Sequence, residues 1–277
     1  MALAEASRNI RANYRFHASL RGGRARRLTY LTVYYFLFVV LRWGNRHLRA
    51  LNWLKRLGLS DLAVEVISPD GLTLDLDLHT AFDPLYSIVA EGDYEREAGF
   101  RPSPGQTVMD LGANLGIFAT RAAALVGPNG KVIAVEPHPE NFRRLEGNAR
   151  RNNLPQLECV QAAAGDREGT VELFVHERGI NHSLIHGSGR SLSVPMKTVD
   201  AIARERGLSR LDLLKIDIEG VVPAALKGAA ETIRRFHPRI TIERDTVPDT
   251  EGVDALLTQF GYEWRDWRGL TYAWPKL

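Results

Sequence analysis

A chain of 277 residues, 44% of them hydrophobic, can bury one large core, and its single cysteine excludes an intramolecular disulfide framework. The net charge of +3 hides an asymmetry: residues 1–60 hold 12 Lys and Arg against one acid, Glu5, for +11, whereas the remainder holds 24 basic and 32 acidic residues, for −8. A main body that is itself acidic is ill suited to wrapping nucleic acid, so no nucleic-acid partner is expected.

In the basic segment, Arg27 and Arg42 bracket the uncharged run LTYLTVYYFLFVVL, residues 28–41. As a helix this run rises about 21 Å, short of the ~30 Å hydrocarbon core of a bilayer, so an ordinary span is not expected. The chain continues RWGNRHLRALNWLKRLG, basic and amphipathic, with no small-residue cleavage site to mark a signal peptide. Three readings stay open: helices packed on the catalytic body, peripheral contact of residues 1–57 with an anionic membrane, and a true anchor. The expected location is cytoplasmic, with any membrane association at the inner face. Cys159, within LECVQAAA, reads as a buried, inert thiol of a reducing compartment.

Further along, AVEVI (63–67) and LTLDLDL (72–78) alternate in polarity around SPDG and predict a β-hairpin. AFDPLYSIVAEGDYEREAGF then carries apolar residues at helical spacing, and RPSPG breaks the pattern before the strand TVMDL. The expected organisation is a helical extension over 1–60, a hairpin and helix over 61–103, and a core domain over 104–277. Within that core TVMDL is followed by a helix over 116–126, the strand KVIAVE (131–136), a helix over 139–152 and the strand LECVQA (157–162). Near-continuous apolar strands alternating with helices predict right-handed βαβ units in a parallel sheet. VELFV (171–175) and SLSVPMKTV (191–199) read as added strands around the polar loop HERGINHSLIHGSGR. A helix over 199–206, LDLLKIDIE, a helix over 221–235, RITIE (239–243), a helix over 252–260 and a terminal hairpin in YEWRDWRGLTYAW complete the chain.

Ligands of open α/β sheets sit at the carboxyl ends of the strands, and the first core strand ends in DLGANLG. Gly112 is expected to let the backbone approach a ligand, and Gly116 to let the helix start tight against the sheet with its N–H groups presented. Asp110 suits an ammonium better than a diphosphate, and Asn114 stands where a dinucleotide turn often has a glycine. Glu136, twenty residues beyond Gly116, is placed to accept both hydroxyls of a ribose. S-adenosylmethionine, an adenosine ligand with an α-amino group and no phosphate, satisfies both acids. In LLKIDIEG, the polar residues Lys215, Asp217 and Glu219 alternate with Leu214, Ile216 and Ile218 near a strand's end. Asp217 could act as general base on an acceptor hydroxyl and Lys215 could neutralise a carboxylate or a developing alkoxide, and a structural ion-pair cluster is the alternative.

Residues from about 82 to 245 resemble the FkbM family of S-adenosylmethionine-dependent methyltransferases, in DLGANLG followed by VEPHPENFRRLEGNARRNN, and in TVDAIARERGLSRLDLLKIDIEG with LKGA and ITIE after it. The resemblance implies an α/β, Rossmann-like class I methyltransferase fold, with a mostly parallel seven-stranded sheet, helices on both faces and a terminal antiparallel hairpin. It implies that Gly112, Ala113, Asn114 and Gly116 line the methionine part of the cofactor, that Glu136, with Pro137 beside it, lines the ribose, and that Ala163 or its neighbours line the adenine. It also implies O-methylation of a hydroxyl on a small molecule or glycan of sugar or polyketide type. Tyr94 and Glu95, in EGDYERE, resemble a family feature that covers the cofactor. In the loop, Asn181 and Ser183 match a family position, and His182 or His186 is a candidate for positioning the acceptor. Glu243, at the end of ITIE, could line the acceptor pocket.

The chain departs from the family pattern KxDxEGxE at Val222, where a second glutamate would stand. Asp217, Glu219, Lys215 and His182 form the expected catalytic set, and no metal is expected. Two other functions stay open: a methyltransferase-like scaffold with an impaired site, docked at a membrane, and an NAD(P)-dependent oxidoreductase, against which the absence of GxGxxG and the presence of Asp110 argue.

Overall fold

The structure, a computed structural model, describes residues 63–77, 80, 83–174, 191–218, 220–244 and 250–276. The basic segment with its run 28–41, the loop histidines His182 and His186 with Asn181 and Ser183, and Glu219 all lie outside the described residues. No helix among the described residues is long and apolar enough to cross a membrane. The chain divides into two compact units, one ending at Gly92 and one beginning at Asp93.

The described part of the first unit contains the hairpin β1 (Ala63–Ile67) and β2 (Thr73–Asp77), antiparallel with Ile67 opposite Thr73. Its alternation works as expected, since Leu72, Leu74 and Leu76 are buried and the residues between them are partly exposed. Ser68 closes the turn by accepting the Gly71 amide at its carbonyl, while Gly71 itself is left-handed. A single turn, α1 (Asp83–Tyr86), runs into a π-helical turn over Ser87–Glu91 and stops at left-handed Gly92, a shorter helix than the spacing of apolar residues predicts.

The second unit is built on a seven-stranded sheet. In chain order its elements are β3 (Thr107–Leu111), α2 (Ile117–Val126), β4 (Lys131–Val135), α3 (Pro139–Arg151) and β5 (Leu157–Val160). After these come β6 (Ala163–Ala164), β7 (Gly169–Phe174), β8 (Ser191–Lys197), α4 (Val199–Glu205), β9 (Leu213–Ile216), α5 (Val222–Lys227) and α6 (Ala230–Phe236). The chain ends in β10 (Arg239–Glu243), α7 (Thr250–Gln259), β11 (Tyr262–Trp267) and β12 (Leu270–Pro275). The strand order is β11-β12-β10-β9-β3-β4-β5, parallel from β10 through β5, with the last hairpin added antiparallel to β10. Strands β3, β4 and β9 are apolar almost throughout because both of their faces are covered: Val108, Met109, Leu111, Ile133, Val135, Leu214 and Ile216 are at most 1% exposed. The strand order runs outward from β3 to β4 and β5 in one direction and from β9 to β10 in the other, which opens a crevice at the β3/β9 switch point.

Two features differ from the sequence reading. β6 leaves the main sheet after β5 and joins β8 and β7 in a separate three-stranded sheet, order β6-β8-β7. The helix expected over 221–235 is two, α5 and α6, broken at Gly228 and Ala229. A Cβ at Gly228 would stand 2.0 Å from the Gly165 carbonyl oxygen, so close packing occupies the break. Asp200 then caps α6 from another element, accepting from Thr232 N at 2.7 Å and Glu231 N at 3.1 Å.

Fully buried Asn148 of α3 donates from Nδ2 to the Leu115 carbonyl at 2.8 Å, which pins the turn between β3 and α2. Replacing it by alanine leaves a buried carbonyl without that donor. Asn148→Ala is therefore expected to lose about 1–3 kcal/mol, read as a lower urea midpoint with an unchanged m-value.

Candidate active site

The site grows from one register pair. Asp110 near the end of β3 lies opposite Lys215 on β9, and both side chains are interior, at 0% and 4% exposure. Asp110 Oδ1 accepts from Lys215 Nζ at 2.8 Å. A lone charge at such a depth would cost several kcal/mol, and mutual contact offsets that cost. Burial pushes the Asp110 carboxyl upward against the pull of Lys215, and its Oδ2 is buried with no hydrogen-bond partner among the described residues. For Lys215 burial alone would lower the ammonium, but Asp110 and Asp217 outweigh it and hold it charged, above the usual lysine range. Its Nζ lies 3.2 Å from Asp217 Oδ2 and 4.8 Å from the centre of the Tyr94 ring, with the Phe118 ring at 5.7 Å.

Asp217 follows β9 directly, and its amide donates to the Leu111 carbonyl at 3.0 Å. Its side chain is 35% exposed, so it reaches solvent at the strand ends while Lys215 and Asp110 are buried. The Tyr94 hydroxyl stands 3.0 Å from Asp217 Oδ2 and 2.8 Å from Glu243 Oε2. Its ring packs edge-on against Phe118 of α2 at 5.4 Å. Burial, then the Asp217 charge, pushes the Glu243 carboxyl to about 8.

The second half of the site is the turn 112–116. Gly112 N and Ala113 N both donate to the Val135 carbonyl at 3.0 Å. Asn114 is left-handed at φ 51°, the conformation that asparagine tolerates best after glycine, and its amide donates to Glu136 Oε2 at 2.8 Å. The other oxygen, Oε1, accepts from His138 N at 2.9 Å. Burial raises Glu136 to about 7 despite these donors. Pro137 is partly buried beside it, and Ala163, at 2% exposure, lies in β6.

Several residues work differently from the sequence reading. The space where a Gly112 Cβ would sit is filled by the Asp217 carbonyl oxygen, 1.8 Å away, so the missing side chain admits the β9 loop. A Gly116 Cβ would meet Leu145 Cδ1 of α3 at 2.5 Å, so that glycine makes room for a neighbouring helix rather than for the sheet. The ammonium that Asp110 meets is that of Lys215. Glu95, whose side chain is 5% exposed, clamps Arg121 of α2, Oε1 to Nε at 2.8 Å and Oε2 to Nη2 at 3.1 Å. Val222 is fully buried in the main apolar core, where a carboxylate would have no place, and Pro223 sits harmlessly in the first turn of α5. Cys159 is half-buried and its thiol is pushed to about 12 by burial, which makes it unreactive. No three His, Cys, Asp or Glu side chains among the described residues are grouped to hold a metal ion.

The model of the Methyltransferase FkbM domain matches residues 110–264, more than half of the chain, from Asp110 to Trp264. The chain belongs to the FkbM methyltransferase family. Members of this family are S-adenosylmethionine-dependent, and S-adenosylmethionine is the cofactor of this FkbM domain. The 31-O-demethyl-FK506 methyltransferase FkbM of Streptomyces tacrolimicus is 25% identical over 232 residues, covering 72% of this chain and 86% of that protein. Methyltransferase sdnD of Sordaria araneosa is 27% identical over 191 residues, 56% of this chain and 73% of its own length. AMB antimetabolite synthetase AmbE of Pseudomonas aeruginosa is 25% identical over 247 residues, covering 72% of this chain and only 11% of that protein's length. A crystal structure of methyltransferase FkbM from Methylobacillus flagellatus shares the fold, with a TM-score of 0.51 at 17% identity, over 98% of this chain and 60% of that one.

The buried pair of the FkbM domain is testable by itself. Lys215→Met strands the Asp110 carboxyl in the core and is expected to cost about 3–5 kcal/mol by urea denaturation. The double variant Asp110→Leu with Lys215→Met is expected to recover most of that loss, because no unpaired charge remains in the sheet interior and Asp217, which also loses Lys215, is 35% exposed.

Proposed function

We propose that this FkbM domain transfers a methyl group to a neutral hydroxyl of a small molecule or glycan, with Asp217 as the base. The observation that carries this reading is the placement of Asp217: a carboxylate fixed by Lys215 and Tyr94, 35% exposed, at the switch point of the sheet. S-adenosylmethionine, when bound, supplies an electrophilic methyl on a sulfonium, so methylation of a hydroxyl leaves one proton to be taken up. Asp217 takes that proton, and the contact to Lys215 fixes its carboxylate in place. The three donors of Lys215 face Asp110, Asp217 and, at 3.5 Å, the Gly112 carbonyl, and its charge is already shared by two carboxylates, which favours a neutral acceptor over an acidic one.

The residues present fit the cofactor. Glu136 would accept the ribose hydroxyls: its two oxygens are held by backbone amides, and a carboxylate keeps further lone pairs for donors from a ligand. Asp110, with Oδ2 lacking a donor among the described residues, makes this end of the sheet favourable to the cofactor's ammonium and hostile to a diphosphate. Ala113, Asn114 and the start of α2 would border the methionine part, Pro137 and Ala163 the adenosine, and Glu95 would hold α2 in place through Arg121. Glu219, His182 and the loop around it would shape the acceptor side. Val222 supports an active enzyme over an impaired scaffold, because the cluster of Asp217, Lys215, Tyr94 and Glu243 is complete without a carboxylate there.

Calorimetric titration should give micromolar-range binding of S-adenosylmethionine and of its demethylated product, and none of NAD; binding of NAD alone would sink the proposal. Ribose hydroxyls donate to the ionised form of Glu136, whose carboxyl sits at about 7. Affinity is therefore expected to weaken about tenfold from pH 8 to pH 6 as the binding-competent fraction falls. Asp217→Asn should bind the cofactor normally and lose about 10²–10⁴ in turnover with methyl-labelled cofactor and a panel of neutral hydroxylated acceptors. Normal turnover would remove Asp217 from the mechanism.

A further inference from the structure

The Tyr94 hydroxyl poses a counting problem. It lies within hydrogen-bond distance of two carboxyl groups, 3.0 Å from Asp217 Oδ2 and 2.8 Å from Glu243 Oε2. A phenol has one proton to donate. With both carboxyls ionised, one of these contacts would bring two electron-rich oxygens together inside a pocket where Tyr94 is only 8% exposed. A second proton must therefore lie within the three groups.

Its location follows from the surroundings. Asp217 has a cation beside it, Lys215 Nζ at 3.2 Å from its Oδ2. Glu243, at the end of β10, is hydrogen-bonded to the Tyr94 hydroxyl and also contacts the Asp217 carboxyl, and the two carboxyls would repel if both were ionised. We propose that Glu243 is a protonated carboxylic acid in the resting protein, donating to Tyr94, which in turn donates to Asp217, so that Tyr94 and Glu243 are positioning residues that aim and hold the base. This deepens the methyl-transfer reading and rests on it for its catalytic meaning, although the proton count stands on the geometry alone.

The charged and titratable groups around Glu243 support the same distribution. Asp217 raises it, Lys215 opposes more weakly, and Asp110 lies beyond Lys215 as that lysine's other partner. Burial is the largest cause of a carboxyl held up to about 8, and the Tyr94 phenol is itself pushed far above its ordinary range by burial and by the two acids, so it keeps its proton. The sign then follows. As pH rises through about 8, Glu243 ionises, two anions compete for one phenolic proton, and Asp217 loses its fixed donor. Methyl transfer should decline on that alkaline side.

The test needs neither cofactor nor acceptor. The full chain, labelled with carbon-13 at the glutamate side-chain carboxyls, is titrated by NMR. The expected result is a resonance with a midpoint near 8 that is missing in Glu243→Gln, while the Glu136 resonance, with its midpoint near 7, persists as an internal control of folding. In Asp217→Asn, where the neighbouring charge is gone, the Glu243 midpoint should fall by at least about one pH unit. A Glu243 midpoint in the ordinary glutamate range in the unmodified chain, or one that does not move in Asp217→Asn, would overturn the proposal. Such a failure leaves cofactor binding by calorimetry untouched, whereas loss of that binding would strike the methyl-transfer reading and leave the proton count standing.

Discussion

Two opposite charges on adjacent parallel strands, Asp110 and Lys215, sit where the sheet is otherwise apolar. Neither tolerates burial without the other, so the register of β3 against β9 is bound to their contact as well as to the surrounding Leu and Ile side chains. That contact falls at the point where the strand order reverses, the crevice at which an open sheet accepts a ligand. Because Lys215 also reaches Asp217, the pair extends a fixed positive charge from the core to the rim of the crevice. The Asp217 carboxylate is thus oriented from beneath by a side chain that is only 4% exposed.

A second constraint couples the two halves of the site. Gly112 opens the space that the Asp217 carbonyl fills, and the amides of Gly112 and Ala113 hold the same turn to the Val135 carbonyl. One residue farther along, Asn114 reaches Glu136 with its amide. The turn that carries the candidate cofactor contacts and the loop that carries the candidate base are therefore fitted to each other, not merely near each other. Leu145 and Asn148 of α3 brace the far side of that turn, one by filling the space beside Gly116 and one by donating to the Leu115 carbonyl. Small displacements here would reach both substrates, since a near-attack geometry tolerates little misplacement.

Much of this was legible in the amino-acid order. Continuous apolar strands broken by amphipathic helices identify a parallel sheet, and Asp110, Glu136, Asp217 and Glu243 all stand at or near the carboxyl ends of such strands, so topology alone gathers them. What could not be read were contacts set by packing between distant segments. Tyr94 meets Glu243 across 149 residues of sequence, and no spacing announces it. The glycines were recognised as necessary, but the neighbours they make room for were not, because a left-handed turn identifies a backbone shape and not the atom that fills the vacant Cβ position. Asp200 is similar: its capping of α6 follows from the path of two helices, whereas the local sequence around Gly228 reads as one continuous helix. Val222 looked like a lost acid and is a core residue of α5.

The most direct measurement is a crystal structure of the full chain with S-adenosylhomocysteine bound. Both ribose hydroxyls should lie within hydrogen-bond distance of the Glu136 carboxylate, with the thioether on the Asp217 side of the turn and Lys215 still paired to Asp110. A nucleoside seated away from Glu136, or a Lys215 that leaves Asp110 for the ligand, would contradict a site assembled on the buried pair.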